Sequence, residues 1–135
     1  MKIKIIVPSV ILIAAALLFY VNMNPPLPEG YVDFDAKAAQ VQLVQSSDVL
    51  ILDVRTFVEF RDGHINNAVN IDFYRNDFER KLKALDRNAQ YFVYCRTGNR
   101  SLSTLKLMHR LGFTKVWHLN KGVVDWKESG LPLSK

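Results

Sequence analysis

The stretch Tyr91-Phe92-Val93-Tyr94-Cys95-Arg96-Thr97-Gly98-Asn99-Arg100-Ser101 runs from four apolar or aromatic residues into a turn carrying the only cysteine of the chain. The first four residues form a short, unalternating run, the pattern of a strand buried on both faces. Beyond Ser101, Leu102, Leu105, Met108 and Leu111 recur every three residues, which predicts a helix that Gly112 can stop. A buried strand, a tight turn and a helix thus follow one another around Cys95.

Outward from this stretch the same alternation continues. Val49-Leu50-Ile51-Leu52-Asp53-Val54 and Val116-Trp117-His118-Leu119 read as further buried strands, and Ala68-Val69-Asn70-Ile71 as a fourth. Asp35 can cap a helix running to about Gln45, expected to bury Ala38, Val41 and Val44. Phe78, Leu82 and Leu85 share a face after Tyr74. Strands alternating with helices argue for an α/β fold with a mainly parallel sheet. In such sheets sites form at the carboxyl ends of the strands, which makes the turn after Tyr94 the first candidate.

A chain of 135 residues allows one small domain and an appendage. The net charge of +5 falls to near +4 when Lys2, Lys4 and Glu29 are set aside, which is mildly basic. That balance can attract small anions but forms no basic stripe, so a nucleic-acid partner is not expected. One cysteine precludes an intramolecular disulfide. His64, His109 and His118 stand too far apart for a metal-ligand motif, so neither a metal nor a cofactor is expected.

The appendage is residues 1–23. Lys2 and Lys4 precede an uncharged apolar run from Ile5 to Val21. As a helix carried to Met23 it would span roughly 28 Å at ~1.5 Å per residue, against a bilayer core of about 30 Å. The run exceeds the usual ~7 to 15 residues of a signal core. An uncleaved single-pass anchor through residues 5–23 is therefore expected, with a cleaved secretory signal as the alternative. Both readings place the domain on the periplasmic or extracytoplasmic side of the cytoplasmic membrane, because the lysines precede the span and residues 22–29 lack any. Residues 24–30 are rich in proline and read as a stiff linker to a domain over residues 31–135.

The turn itself is built for an anion. A cysteine at the base of a strand-to-helix loop meets backbone N–H groups and the positive end of the helix. Gly98 permits the curl, and Arg96 and Arg100 add fixed positive charge. An unperturbed thiol is only about 3% ionised at neutral pH; lowering its pKa by about two units ionises most of it, at ~2.7 kcal/mol of differential stabilisation. A buried structural cysteine ending a strand is the competing interpretation.

Five blocks in order resemble a single-domain rhodanese over almost everything from Tyr31 to Leu133. They are Leu52-Asp53-Val54-Arg55 with Glu59-Phe60, then Gly63-His64-Ile65 with Ala68 to Ile71, the loop Tyr94 to Ser101, Leu111-Gly112-Phe113, and Gly122-Val123-Val124-Asp125-Trp126. Lys121 departs from the pattern, where that family usually has glycine. The resemblance implies a rhodanese-like domain with a five-stranded sheet flanked by helices, following the hydrophobic helix. It implies that Cys95 takes sulfane sulfur from an anionic donor such as thiosulfate and passes it to cyanide or a thiol, with a protein as a possible acceptor. Arg96, Thr97, Gly98, Asn99, Arg100 and Ser101 would bind the substrate, with Arg55 as a further candidate. A non-enzymatic persulfide carrier or binding module is one alternative. A cysteine phosphatase or arsenate reductase of related fold is another, although those typically place five residues between Cys and Arg, against four here.

The neighbours are read more plainly. Arg55 either fixes the loop or substrate, or pairs with Glu59 four residues on. His64 is expected to make a turn-fixing hydrogen bond, Trp117 and Trp126 to pack the core or a lid, and Tyr94 to point into the sheet.

Overall fold

Strand β4, Gln90–Tyr94, has four consecutive residues, Tyr91 to Tyr94, with no exposed surface. Tyr91 and Val93 face one apolar cluster, Phe92 and Tyr94 the other. That explains an apolar run without alternation: both faces of the strand are covered. The computed structural model describes residues 6–135, with side chains from Ser9 onward. Around β4 lie β1 (Tyr31–Phe34), β2 (Val49–Asp53), β3 (Val69–Asn70) and β5 (Val116–Leu119), in the order β1-β5-β4-β2-β3. Every pairing among them is parallel. Three of the four strands expected from the sequence keep their bounds within a residue, and the fourth shortens to two. β1 leaves no clear mark in the sequence, because Asp33 interrupts the four-residue run Tyr31-Val32-Asp33-Phe34 on this edge strand.

Helices cover both faces. On one side α4 (Phe78–Lys83) contributes Phe78 and Leu82, and α5 (Asn99–Arg110) contributes Leu105 and Met108. On the other, α2 (Ala36–Gln45) contributes Ala36 and Ala39, and α6 (Gly122–Glu128) contributes Val123 and Trp126. Asp35 caps α2 as expected, its side chain accepting from Ala38 N–H at 2.9 Å. The buried face of α2 differs from the expected one. Ala38 and Val41 are exposed and Val44 is 81% exposed, while Ala36, Ala39 and partly Leu43 face the core. The Asp125 carboxylate sets this rotation by accepting from Ala36 N–H at 2.8 Å, and small alanines let α2 approach α6 closely. A short helix, α3 (Phe57–Arg61), follows β2 and starts in a capping box between Thr56 and Glu59.

Before the sheet, Ile6–Met23 is helical and is labelled α1. Its large side chains from Val10 to Met23 are exposed. Lys2, Lys4 and Ile5, the positive flank and first residue of the expected span, lie outside the described residues. Among the described residues no helix is long and apolar enough to cross a membrane. The proline-rich linker is seated on the domain: Leu27 packs against the core cluster beneath α5, and Pro28 C=O accepts from Tyr31 N–H.

Candidate active site

Cys95 follows β4 directly, at the carboxyl end of the middle strand. Its side chain is nearly closed off, with 1% exposure for the residue. The sulfur is nevertheless met by donors. Gly98 N–H donates to Sγ at 3.1 Å and the Ser101 hydroxyl lies 3.3 Å away. Burial pushes the thiol up, but the Ser101 hydroxyl and the N–H groups of Ser101, Gly98 and Thr97 outweigh it, so the thiol lies below its ordinary value. Helix α5 follows Gly98, which gives it no side-chain cap, so its first N–H groups remain available to the sulfur.

Carbonyl groups are turned the other way. Val123 N–H donates to Cys95 C=O at 2.9 Å and Val124 N–H to Arg96 C=O at 3.1 Å. With their oxygens held by α6, the next peptides curl their N–H groups inward. Two glycines allow the fit. At Gly98 (φ 105°) a Cβ would overlap the Asn120 carbonyl, and at Gly122 (φ 66°) one would overlap the Arg96 carbonyl. Lys121 takes an ordinary backbone conformation (φ −105°), so glycine is not required there.

The expected ligating residues part company. Arg96, Thr97 and Asn99 are exposed around the loop, and Arg96 makes no ion pair among the described residues. Arg100 is engaged instead: its two terminal nitrogens hold the Glu59 carboxylate at 2.8 Å each, and its guanidinium lies 5.5 Å from the centre of the Tyr74 ring. The Arg100 fork, with Thr56 adding to it and burial opposing, holds Glu59 down to about 2. Arg100 therefore anchors the loop to α3, while its charge still acts on Cys95 through space.

Arg55 corrects two expectations. It does not pair with Glu59. Nε and one terminal nitrogen hold Asp53, the shortest contact being 2.6 Å, and the same nitrogen donates to Gly63 C=O at 2.7 Å. Both side chains are buried. Burial alone would lower Arg55, but Asp53 more than offsets it and the guanidinium sits above its ordinary value. Arg55 also lies over the Tyr94 ring, so its donors are turned inward, away from a substrate role. Tyr94 points into the sheet as expected, its hydroxyl accepting from Ile65 N–H. His64 makes the expected turn-fixing contact, Nδ1 to Phe60 C=O at 3.0 Å, and stacks on the Phe60 ring. Trp126 packs in the core and Trp117 is half-buried beside Phe34.

The site also holds residues that the sequence reading passed over. His118 of β5 is buried; its Nε2 lies 2.8 Å from the Ser101 hydroxyl and its Nδ1 lies 2.7 Å from the Asp33 carboxylate. Burial lowers His118, and Asp33 opposes this only in part. A signal was present. A polar residue inside a strand covered on both faces needs a buried partner.

The profile of the rhodanese-like domain matches residues 36–129, most of the chain. The chain belongs to the rhodanese-like family. Among its relatives is a sulfurtransferase of Allochromatium vinosum, 26% identical over 101 residues, covering 75% of this chain and 92% of that one. The tRNA uridine(34) hydroxylase of Salmonella arizonae is 31% identical over 119 residues, covering 82% of this chain but only 34% of that one. The chain thus spans about a third of the hydroxylases it matches. Among solved structures, the rhodanese-related protein of Thermoplasma volcanium superposes with a TM-score of 0.66 at 30% identity, covering 77% of this chain and 98% of that one. The rhodanese-like domain of an Anabaena protein gives the same TM-score at 27% identity.

Proposed function

We propose that this rhodanese-like protein is a sulfurtransferase that carries sulfane sulfur on Cys95, taking it from thiosulfate or polysulfide. One observation supports this above the others. A buried sulfur is met by N–H and hydroxyl donors, with the Arg100 charge acting on it through space, an arrangement that favours a negative sulfur. The Cys95 thiolate attacks the outer sulfur of thiosulfate; an S–S bond to Cys95 forms as the S–S bond to sulfite breaks, and sulfite leaves with the electron pair. The persulfide is then attacked at its outer sulfur by cyanide or a thiolate, which regenerates the Cys95 thiolate. This is covalent, two-step transfer with ping-pong kinetics. Exposed Arg96 adds to the Arg100 charge in drawing in the dianion, while Arg100 is also tied to Glu59.

The test is thiosulfate:cyanide transfer with mass measurement of the protein after thiosulfate alone. The expected results are a gain of one sulfur on Cys95 and loss of both labelling and transfer in Cys95→Ser, with the fold unchanged by circular dichroism. Transfer by Cys95→Ser at the parent rate would overturn the proposal. Hydrolysis of phosphate esters in its place would assign the site to the phosphatase chemistry.

The same proposal places residues 5–23 in the cytoplasmic membrane with the domain on its extracytoplasmic side. Its support is the uncharged run from Ile5 to Val21, and α1 side chains that the domain leaves uncovered. Cell fractionation checks this: recovery with membranes, resistant to high salt, is expected. A soluble protein shortened at its amino end would mean a cleaved signal.

A further inference from the structure

We infer that Asp33, His118 and Ser101 form a proton relay to Cys95, in which His118 is a positioning residue that takes up the thiol proton. The geometry is a continuous chain: Asp33 carboxylate to His118 Nδ1 at 2.7 Å, His118 Nε2 to Ser101 Oγ at 2.8 Å, and Ser101 Oγ to Cys95 Sγ at 3.3 Å. It links a cysteine that is 1% exposed to a carboxylate whose side chain is 45% exposed.

The hydroxyl decides how the chain works. Ser101 has one proton and three acceptors in reach: Sγ, His118 Nε2 and Gly98 C=O at 3.0 Å. The Asp33 carboxylate can only accept, so it fixes the Nδ1–H tautomer of neutral His118. Nε2 then takes the Ser101 proton, and the hydroxyl oxygen is free to accept from a Cys95 thiol. In the other state the imidazolium donates from Nε2 to Oγ, and the Ser101 proton turns to the sulfur. Passage between them balances. The S–H bond breaks and an O–H bond forms at Ser101, while the former Ser101 O–H bond breaks and an N–H bond forms at His118. The products are a thiolate and an imidazolium, and no electrons change hands.

The surroundings of His118 are few. It lies between β1, which presents Asp33, and β4, which presents Val93 and leads into Cys95. From α5 it faces Ser101, and from the loop the Gly98 peptide. On the outer side Lys106, His109 and Arg110 of α5 line one cavity with Asp33. A cation on the imidazole is thus flanked by one carboxylate and, through one hydroxyl, by the sulfur. Coupling of this kind is reciprocal: a negative sulfur raises His118, and a charged His118 favours the thiolate.

The inference rests on Cys95 being the reactive thiol, but its test reads protons and alkylation, so its failure is distinct from failure of sulfur transfer. In the full-length chain in detergent, the His118 titration is followed by NMR before and after capping Cys95 with iodoacetamide. Loss of the ionisable sulfur is expected to lower the His118 midpoint by about one pH unit or more. An unchanged midpoint overturns the relay, and the same comparison in Cys95→Ser guards against a steric effect of the cap. Separately, the pH profile of iodoacetamide alkylation is measured in Ser101→Ala, Ser101→Thr and His118→Gln. Glutamine keeps a hydrogen bond to Ser101 but cannot take up a proton. His118→Gln and Ser101→Ala are expected to move the profile to higher pH, and Ser101→Thr to restore it. A His118→Gln profile that superposes on the parent shows His118 to be merely structural.

Discussion

Two strand ends lie side by side in the sheet, and both carry charge. At the end of β2, Asp53 and Arg55 close on each other and on Gly63, buried, with every contact internal. At the end of β4, Cys95 is equally buried, yet its sulfur is met by backbone N–H groups and a hydroxyl rather than closed off by a hydrogen-bonded counter-ion such as Arg55 gives Asp53. The first arrangement is complete by itself. The second is complete only when the sulfur is negative. A buried site poised for chemistry differs from a buried structural pair in what it leaves unmatched, not in how much charge it holds.

The largest break in this comparison should come from Arg55→Ala. It strands Asp53 as an unpaired buried carboxylate, and the loss expected in denaturant unfolding is about 3–5 kcal/mol. Exchanging Asp53 and Arg55 together for apolar residues should recover much of that loss. Protein that remains folded should still transfer sulfur, because this pair does not touch Sγ.

Gly122→Ala should reverse the pattern. Its Cβ would press the Arg96 carbonyl, and non-glycine strain in this region costs roughly 1–3 kcal/mol. The displaced carbonyl turns the following N–H groups off the sulfur, so transfer should fall on the order of 100-fold, more than the stability loss accounts for. Steady-state kinetics on folded protein would separate the two effects.

Glu59 tests the tie between the loop and α3. Its carboxyl is held at about 2, below its ordinary value, so this stabilisation is fully present above the unfolded carboxyl range near pH 4.5. It is lost as pH falls from there towards 2. Acid unfolding of Glu59→Gln should lack this part of the pH dependence, and its stability at pH 7 should be lower by about 1–2 kcal/mol. Equal pH slopes in the two proteins would remove Arg100 from its anchoring role.

The smallest effect is expected on α2. Val44 is 81% exposed, so Val44→Lys should change stability by less than about 0.5 kcal/mol, whereas Ala39→Lys on the core-facing side should unfold the domain. Thermal unfolding of both variants checks the helix rotation directly.

Much of the fold was legible because short apolar runs mark strands: Tyr91 to Tyr94 is apolar throughout and covered on both faces, while Val49 to Val54 and Val116 to Leu119 are each broken by one polar residue, Asp53 or His118, and Leu50 at the start of β2 is 49% exposed. Asp35 and Gly112 gave helix ends for equally local reasons. The loop after Tyr94 could be found from its residues alone, because a curled backbone before a helix needs glycine and a short run. The face of α2 could not, since apolar Val41 and Val44 carry no record that Asp125 rotates Ala36 and Ala39 inward. Nor could the arginine partners. Arg55 has Glu59 at helical spacing, but Asp53 is nearer in space because β2 ends between them, and Glu59 is thereby left for Arg100.

By itself, then, the chain determined a parallel α/β sheet and the position of its one thiol, since these follow from short-range pattern and backbone sterics. Only the tertiary structure decided which charges are matched, and it alone joined Asp33, His118, Ser101 and Cys95. Cys95 and Ser101 share one loop, but Asp33 and His118 come from β1 and β5, distant in sequence, and parallel strand pairing is what brings them within hydrogen-bond reach of it.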